Sequence, residues 1–122
     1  MVVLGPKYEI IKTSKKIDDG MNENVEGDPS TKGTRYVTHP TGALNIGIWE
    51  CEAGKWSSNH PISEMFTILE GGVIITDSDG VAHDLKVGDS IYIPRGTPIH
   101  WNIESRIKKA WVMMPQLDLV SI

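Results

Sequence analysis

The sequence predicts an all-β domain, and three observations carry that expectation. From residue 34 onward the chain runs in short stretches rich in Val, Ile, Thr and aromatic residues. Gly, Pro, Asp and Asn punctuate them at the intervals of a sandwich or barrel, and no helical periodicity intervenes. In chain order, strands are expected over 35–38, 44–51, 65–70, 73–76, 82–86, 90–93, 99–103 and 107–114, with a further candidate over 8–12. Asp77-Ser78-Asp79-Gly80 supplies Asp and Gly where a hairpin needs positive φ, so 73–76 and 82–86 should pair. Pro94-Arg95-Gly96 has the Pro and Gly that a tight turn prefers. In the last strand, Ile107, Lys109, Trp111 and Met113 share one face, while Ala110, Val112 and Met114 share the other. Both faces of that strand's second half must therefore be covered, one by the barrel and the other by a partner subunit, which predicts a homodimer.

The N-terminal third differs in character. Lys7, Lys12, Lys15 and Lys16 are followed by Asp18, Asp19, Glu23, Glu26 and Asp28 with no base among them. Ile17, Met21 and Val25 recur every four residues, yet Gly20, Asn22, Asn24, Gly27 and Pro29 oppose a helix, so 13–33 is expected to be an arm or loop. Residues 1–33 are accordingly read as an N-terminal strand and arm of the same domain, with 34–122 as the barrel. A chain of 122 residues is the size of one domain. No run of 18 apolar residues is present, so no membrane span is expected, and a cytoplasmic protein is the simplest reading. Twelve basic against sixteen acidic residues give a net charge of -4, the wrong sign for neutralising nucleic-acid phosphates or anionic membranes. Cys51 is the single cysteine, which excludes an intrachain disulfide and a multi-thiolate zinc site.

Two motifs carry more specific information. The first is Gly54-Lys-Trp-Ser-Ser-Asn-His60-Pro-Ile-Ser-Glu64 with Gly71 beyond it; the second is Gly88-Asp89, Pro94 and Gly96. Together they resemble the paired motifs of the cupin superfamily. With Gly27-Asp28-Pro29, Gly47-Ile-Trp-Glu-Cys51, Ile68-Leu69-Glu70-Gly71, Trp101 and Lys109, the chain resembles the small cupins related to ureidoglycine aminohydrolase and to ethanolamine utilisation. The resemblance implies a double-stranded β-helix, a jelly-roll barrel with an internal pocket, often as a homodimer. It does not imply one chemistry, because sites rather than folds carry function.

In metal-binding cupins the first motif supplies two His and a Glu, and the second supplies one more His. Here the resemblance puts His60 and Glu64 at two of those positions, while Ser58 and Ile99 stand at the other two. His100 follows Ile99, and strand parity turns it outward while Ile99 and Trp101 point in, unless a bulge at Thr97-Pro98 shifts the register. The metal set is incomplete, so no tightly bound cofactor is expected, although manganese, zinc or iron would suit His60 and Glu64 as ligands.

Lys109 shares a face with Ile107, Trp111 and Met113, where an unpaired charge is costly, so it either pairs inside the barrel or reaches to the rim. Glu64 is the obvious counter-charge. The ligand-binding candidates are Glu64, Lys109, Phe66, Tyr92, Trp101 and Trp111. Cys51 reads as packing and His39 and His83 as surface residues, while Arg95 reaches either the pocket mouth or solvent. The leading expectation is a barrel that binds a small polar or anionic metabolite, with catalysis open. One alternative is a metal-dependent enzyme similar to the ureidoglycine aminohydrolases, with Tyr92, His100 or water completing a His60–Glu64 shell. Another is a non-catalytic accessory protein.

Overall fold

The computed structural model describes residues 11–16 and 22–114, with side-chain environments from residue 23. Among the described residues there is no helix. Eight strands follow in order: β1 (Ile11–Lys16), β2 (Asn22–Gly27), β3 (Ser30–Thr38), β4 (Asn45–Asn59), β5 (Ser63–Thr76), β6 (Ala82–Lys86), β7 (Ser90–Ile93) and β8 (Pro98–Met114). Every pairing is antiparallel.

Three long strands organise the molecule. β8 runs between β4 and β5, pairing with each along most of its length. β4 pairs with β3 through its first half and with β2 through its second, and β5 pairs first with β7 and then with β6. Each long strand thus crosses between two layers, β1–β3–β4–β8–β5–β7 (the upper layer) and β2–β4–β8–β5–β6 (the lower layer). Register shifts fall where they cross, between Glu52 and Gly54 and between Gly71 and Ile74. Bulges bend strands at such corners without ending them. Gly71 has φ +70°, and a Cβ there would collide with the Arg106 carbonyl. On the outside of the same corner, Arg106 bridges Glu50 and Glu70, and Lys32 lies 3.5 Å from Glu50.

This explains two differences from the sequence expectations. Stretches 65–70 and 73–76 are one strand, as are 99–103 and 107–114, because the glycines and polar residues between them bend the chain rather than terminate it. Much of the expected arm is also strand: β1 pairs with β3 and β2 with β4, and Val25 packs against the core. The polar residues of β2 hide its strand character, since among its described side chains only Val25 packs against the core. Ile17 and Met21 lie outside the described residues, as does most of the 8–12 candidate. The 73–76 to 82–86 hairpin forms as expected, with Thr76 opposite Ala82 and Gly80 at φ +79°.

The core lies between the layers. Cys51, Phe66, Ile68, Ile107 and Trp111 fill the upper half, and Trp56, Val73, Ile75, Ile99, Trp101 and Ile103 the lower. Gly47 makes room for Trp111, whose Cζ2 would stand 2.6 Å from a Cβ at that position.

Candidate ligand-binding site

Strand parity alone puts Glu64, Phe66 and Ile68 of β5 on the inner face, opposite Met113, Trp111 and Lys109 of β8. Lys109 is also in register with Trp49 of β4. His60 arrives differently. It follows β4 at a bend that Pro61 enforces, and its backbone is pinned to the turn before β8: His60 N donates to Thr97 O (2.8 Å) and Gly96 N donates to His60 O (2.7 Å). The bend brings its ring back over the start of β5.

The result is a buried polar cluster. Glu64 is 0% exposed, Lys109 4% and His60 6%. Each carboxylate oxygen of Glu64 has one partner: Oε1 is 2.8 Å from His60 Nε2, and Oε2 accepts from Lys109 Nζ at 2.7 Å. The sequence left Lys109 free to snorkel, but the structure holds it inside. Its ammonium is surrounded by aromatic faces, 4.2 Å from the Phe66 centroid, 4.8 Å from Trp49 and 5.0 Å from Trp101. Each face offers its negative quadrupole to the cation. Trp101 reaches across from the lower layer to stack on Phe66 (5.7 Å) and on Trp56 (5.4 Å), and lies 6.2 Å from the His60 ring.

These neighbours set the protonation states. Burial alone would push the Glu64 carboxyl up, but the Lys109 ammonium and the His60 hydrogen bond outweigh it and hold the carboxyl below its ordinary value. The Cys51 thiol, by contrast, is pushed up to about 12, first by burial and then by Glu52, with Lys109 opposing. It stays a thiol at neutral pH, which supports packing over nucleophilic chemistry.

Of the six ligand-binding candidates, Glu64, Lys109, Phe66 and Trp101 meet in this cluster, and Trp111 packs beside it in register with Phe66. Tyr92 does not join them: it is in register with Met65, on the outer face of the layer. His100 is likewise turned outward, where its Nδ1 lies 3.0 Å from Ser57 Oγ. Ser58 and Ile99 are in register with each other and line a surface cavity of about 360 Å³ to which neither His60 nor Glu64 contributes. The arrangement does not fit a divalent metal. Glu64 and His60 Nε2 are committed to each other and to Lys109, and among the described residues no three His, Cys, Asp or Glu side chains converge as a ligand set. Trp49, an aromatic the sequence also offers as a pocket wall, and Trp56 complete the aromatic box; the parity of β4, which places Trp49, Cys51 and Trp56 inward around the Glu52–Gly54 shift, is the signal for Trp56.

A two-layer antiparallel barrel closed by long bent strands, with its polar cluster inside, is the architecture of a cupin jelly roll. The model of the EutQ-like cupin domain matches residues 38–111, more than half of the chain, and the chain belongs to that family. Among solved structures it is similar to EutQ of Clostridium difficile (18% identity, 90% of this chain and 82% of that one, TM-score 0.69). It is also similar to a protein described as ethanolamine utilization protein Q of Salmonella typhimurium LT2 (21% identity, 72% of each chain, TM-score 0.62). A Pseudomonas syringae protein of unknown function in the DUF861 family matches with TM-score 0.77 and 20% identity over 90% of this chain, which spans 46% of that protein. At these identities the likeness concerns the fold. No curated protein matches the sequence.

Proposed function

We propose that this cupin barrel binds a small polar or anionic metabolite at the Lys109–Glu64–His60 cluster, without a tightly bound metal. The observation that carries the reading is a carboxylate at 0% exposure held between an ammonium and an imidazole. Desolvating a buried ion pair costs several kcal/mol per charge before its own attraction offsets it, and a well-packed apolar set in its place is often neutral or stabilising by about 1–4 kcal/mol. A barrel needing only stability would fill these positions with Leu, Ile or Met. A buried carboxyl whose acidity is shifted by a specific charge partner favours a site over a scaffold.

The chemistry follows from access. Glu64 is sealed from solvent, so it acts only through the groups that it touches. His60 and Lys109 keep a small exposed area. A ligand would meet the imidazole and the ammonium against the Trp101 and Phe66 rings. Two copies of the chain would pair, in the cytoplasm, through the outer face of the upper layer. There Ala110 and Val112 stand in register with Ile48, Ile46, Thr67 and Met65, a face with too much apolar surface for open solvent. A thermal-shift survey of small polar and anionic metabolites, run with and without added divalent metal, tests the reading. It expects a metal-independent rise in melting temperature with at least one compound; stabilisation by metal alone contradicts it.

A further inference from the structure

We propose that Lys109 is a carbonyl-binding amine, forming a protonated imine with a small uncharged aldehyde inside the barrel. The inference rests on the reading of the cluster as a ligand site and names the ligand class. Among the residues whose side chains are described, Lys109 is the only buried lysine; Lys55 and Lys86 are exposed, and Lys32 and Lys108 are part-exposed.

Its surroundings supply each requirement of the step. To attack a carbonyl, Nζ must shed a proton, and Glu64 Oε2 is hydrogen-bonded to it at 2.7 Å. The nitrogen lone pair then forms the C–N bond while the carbonyl π pair moves to oxygen. A second proton passes from nitrogen to that oxygen, giving a neutral carbinolamine. Glu64 returns the first proton to the hydroxyl, the C–O bond breaks, and water leaves. The balance is ammonium plus aldehyde giving iminium plus water, with Glu64 restored as a carboxylate. Because the iminium keeps the positive charge, the Glu64 pair and the three aromatic faces hold the product as they hold the ammonium. His60 holds the other oxygen of Glu64 and so keeps the carboxylate aimed at Lys109.

Ligand class and nucleophile follow from the same groups. Glu64 already neutralises Lys109, and among the residues whose side chains are described no second lysine or arginine is buried, so of the polar and anionic ligands proposed above the uncharged polar class fits this cluster best. An uncharged aldehyde with a short apolar tail matches the aromatic walls. Cys51, the other inward nucleophile, remains a protonated thiol, which leaves the carbonyl to the amine.

Brief exposure of the folded protein to propanal and cyanoborohydride, which reduces an iminium to a stable propylamine, followed by peptide mass spectrometry, tests this. The expected result is propylation of Lys109 at least about tenfold faster than of Lys55 and Lys86 despite its burial, the scale of a modest general acid–base contribution. Glu64→Gln should slow labelling at Lys109 by a similar factor and leave Lys55 unchanged. Labelling confined to exposed lysines in the wild-type protein overturns the proposal, a result that requires no variant to fold. The thermal-shift survey separates this claim from the one beneath it. A metabolite that stabilises the protein while Lys109 stays unlabelled sinks the imine and leaves the ligand site standing; an unlabelled Lys109 with no stabilising metabolite sinks both.

Discussion

The two halves of the barrel interior are built from the same three strands, yet they are filled by opposite chemistry. In the lower half β4, β5 and β8 contribute Trp56, Val73, Ile75, Ile99, Trp101 and Ile103, all buried and all apolar in body. In the upper half the same strands, a few residues along and past one bend, contribute Cys51, Glu64, Phe66, Lys109 and Trp111, joined by His60. Strand parity and register are equally good in both, so backbone geometry does not demand the charges. The lower half shows what this barrel needs in order to fold; the difference between them marks what the upper half keeps for another purpose.

Substitutions can sharpen that contrast, and the largest effect should come from stranding a charge. Lys109→Met leaves Glu64 buried without its ammonium and should lower unfolding free energy by about 3–5 kcal/mol in urea denaturation. Adding Glu64→Gln should recover much of the loss, because the neutral pair no longer contains an uncompensated charge; full additivity of the two changes would break the coupling described here. In the apolar half, Ile103→Ala should cost about 2–5 kcal/mol through its cavity while leaving any ligand-induced thermal shift in place.

Acid should distinguish the halves further. Glu64 is held below its ordinary value in the folded chain, so its contribution is fully present above the unfolded value of about 4.3 and is lost as pH falls through the folded value. Wild-type stability should therefore decline below about pH 4.3 more steeply than that of the Lys109→Met/Glu64→Gln double variant. Parallel pH profiles would contradict the assignment. The smallest effect on the fold itself should come from the outer face. Val112→Lys is expected to shift a species of twice the chain mass toward the monomer in sedimentation at micromolar concentration, and a wild-type monomer there would remove the pairing surface.

Much of this contrast was legible in the sequence, and the part that was not has a physical cause. Period-two alternation put Lys109 with Trp111 and Ile107, and the Asp77–Gly80 turn fixed the hairpin, because both signals are local. The pairing of Glu64 with Lys109 could be anticipated from charge balance alone. Its geometry could not: the two residues are 45 apart, and whether a lysine stem folds inward or runs to the rim depends on the aromatic faces that Trp49 and Trp101 bring from other strands. Tyr92 was misplaced among the pocket residues for a related reason. On a four-residue strand, parity is ambiguous until the pairing with β5 sets it, and that register puts Ile91 and Ile93 inward instead. The strand at 22–27 escaped notice because Val25 is the one apolar residue in it and its pairing depends on the edge of β4, distant in sequence.

The central claim is that the charged half of the interior is a ligand site. Ligand-induced thermal shift, measured with the most stabilising metabolite of the survey on the wild-type protein and on the Lys109→Met/Glu64→Gln double variant, tests it most directly. A ligand at about 100 times its dissociation constant stabilises the binding-competent protein by about 2.7 kcal/mol, well within detection. The account predicts that the wild-type shift disappears in a double variant that still folds. An equal shift in both proteins would mean that the ligand binds elsewhere and that the buried Lys109–Glu64–His60 cluster serves only the fold.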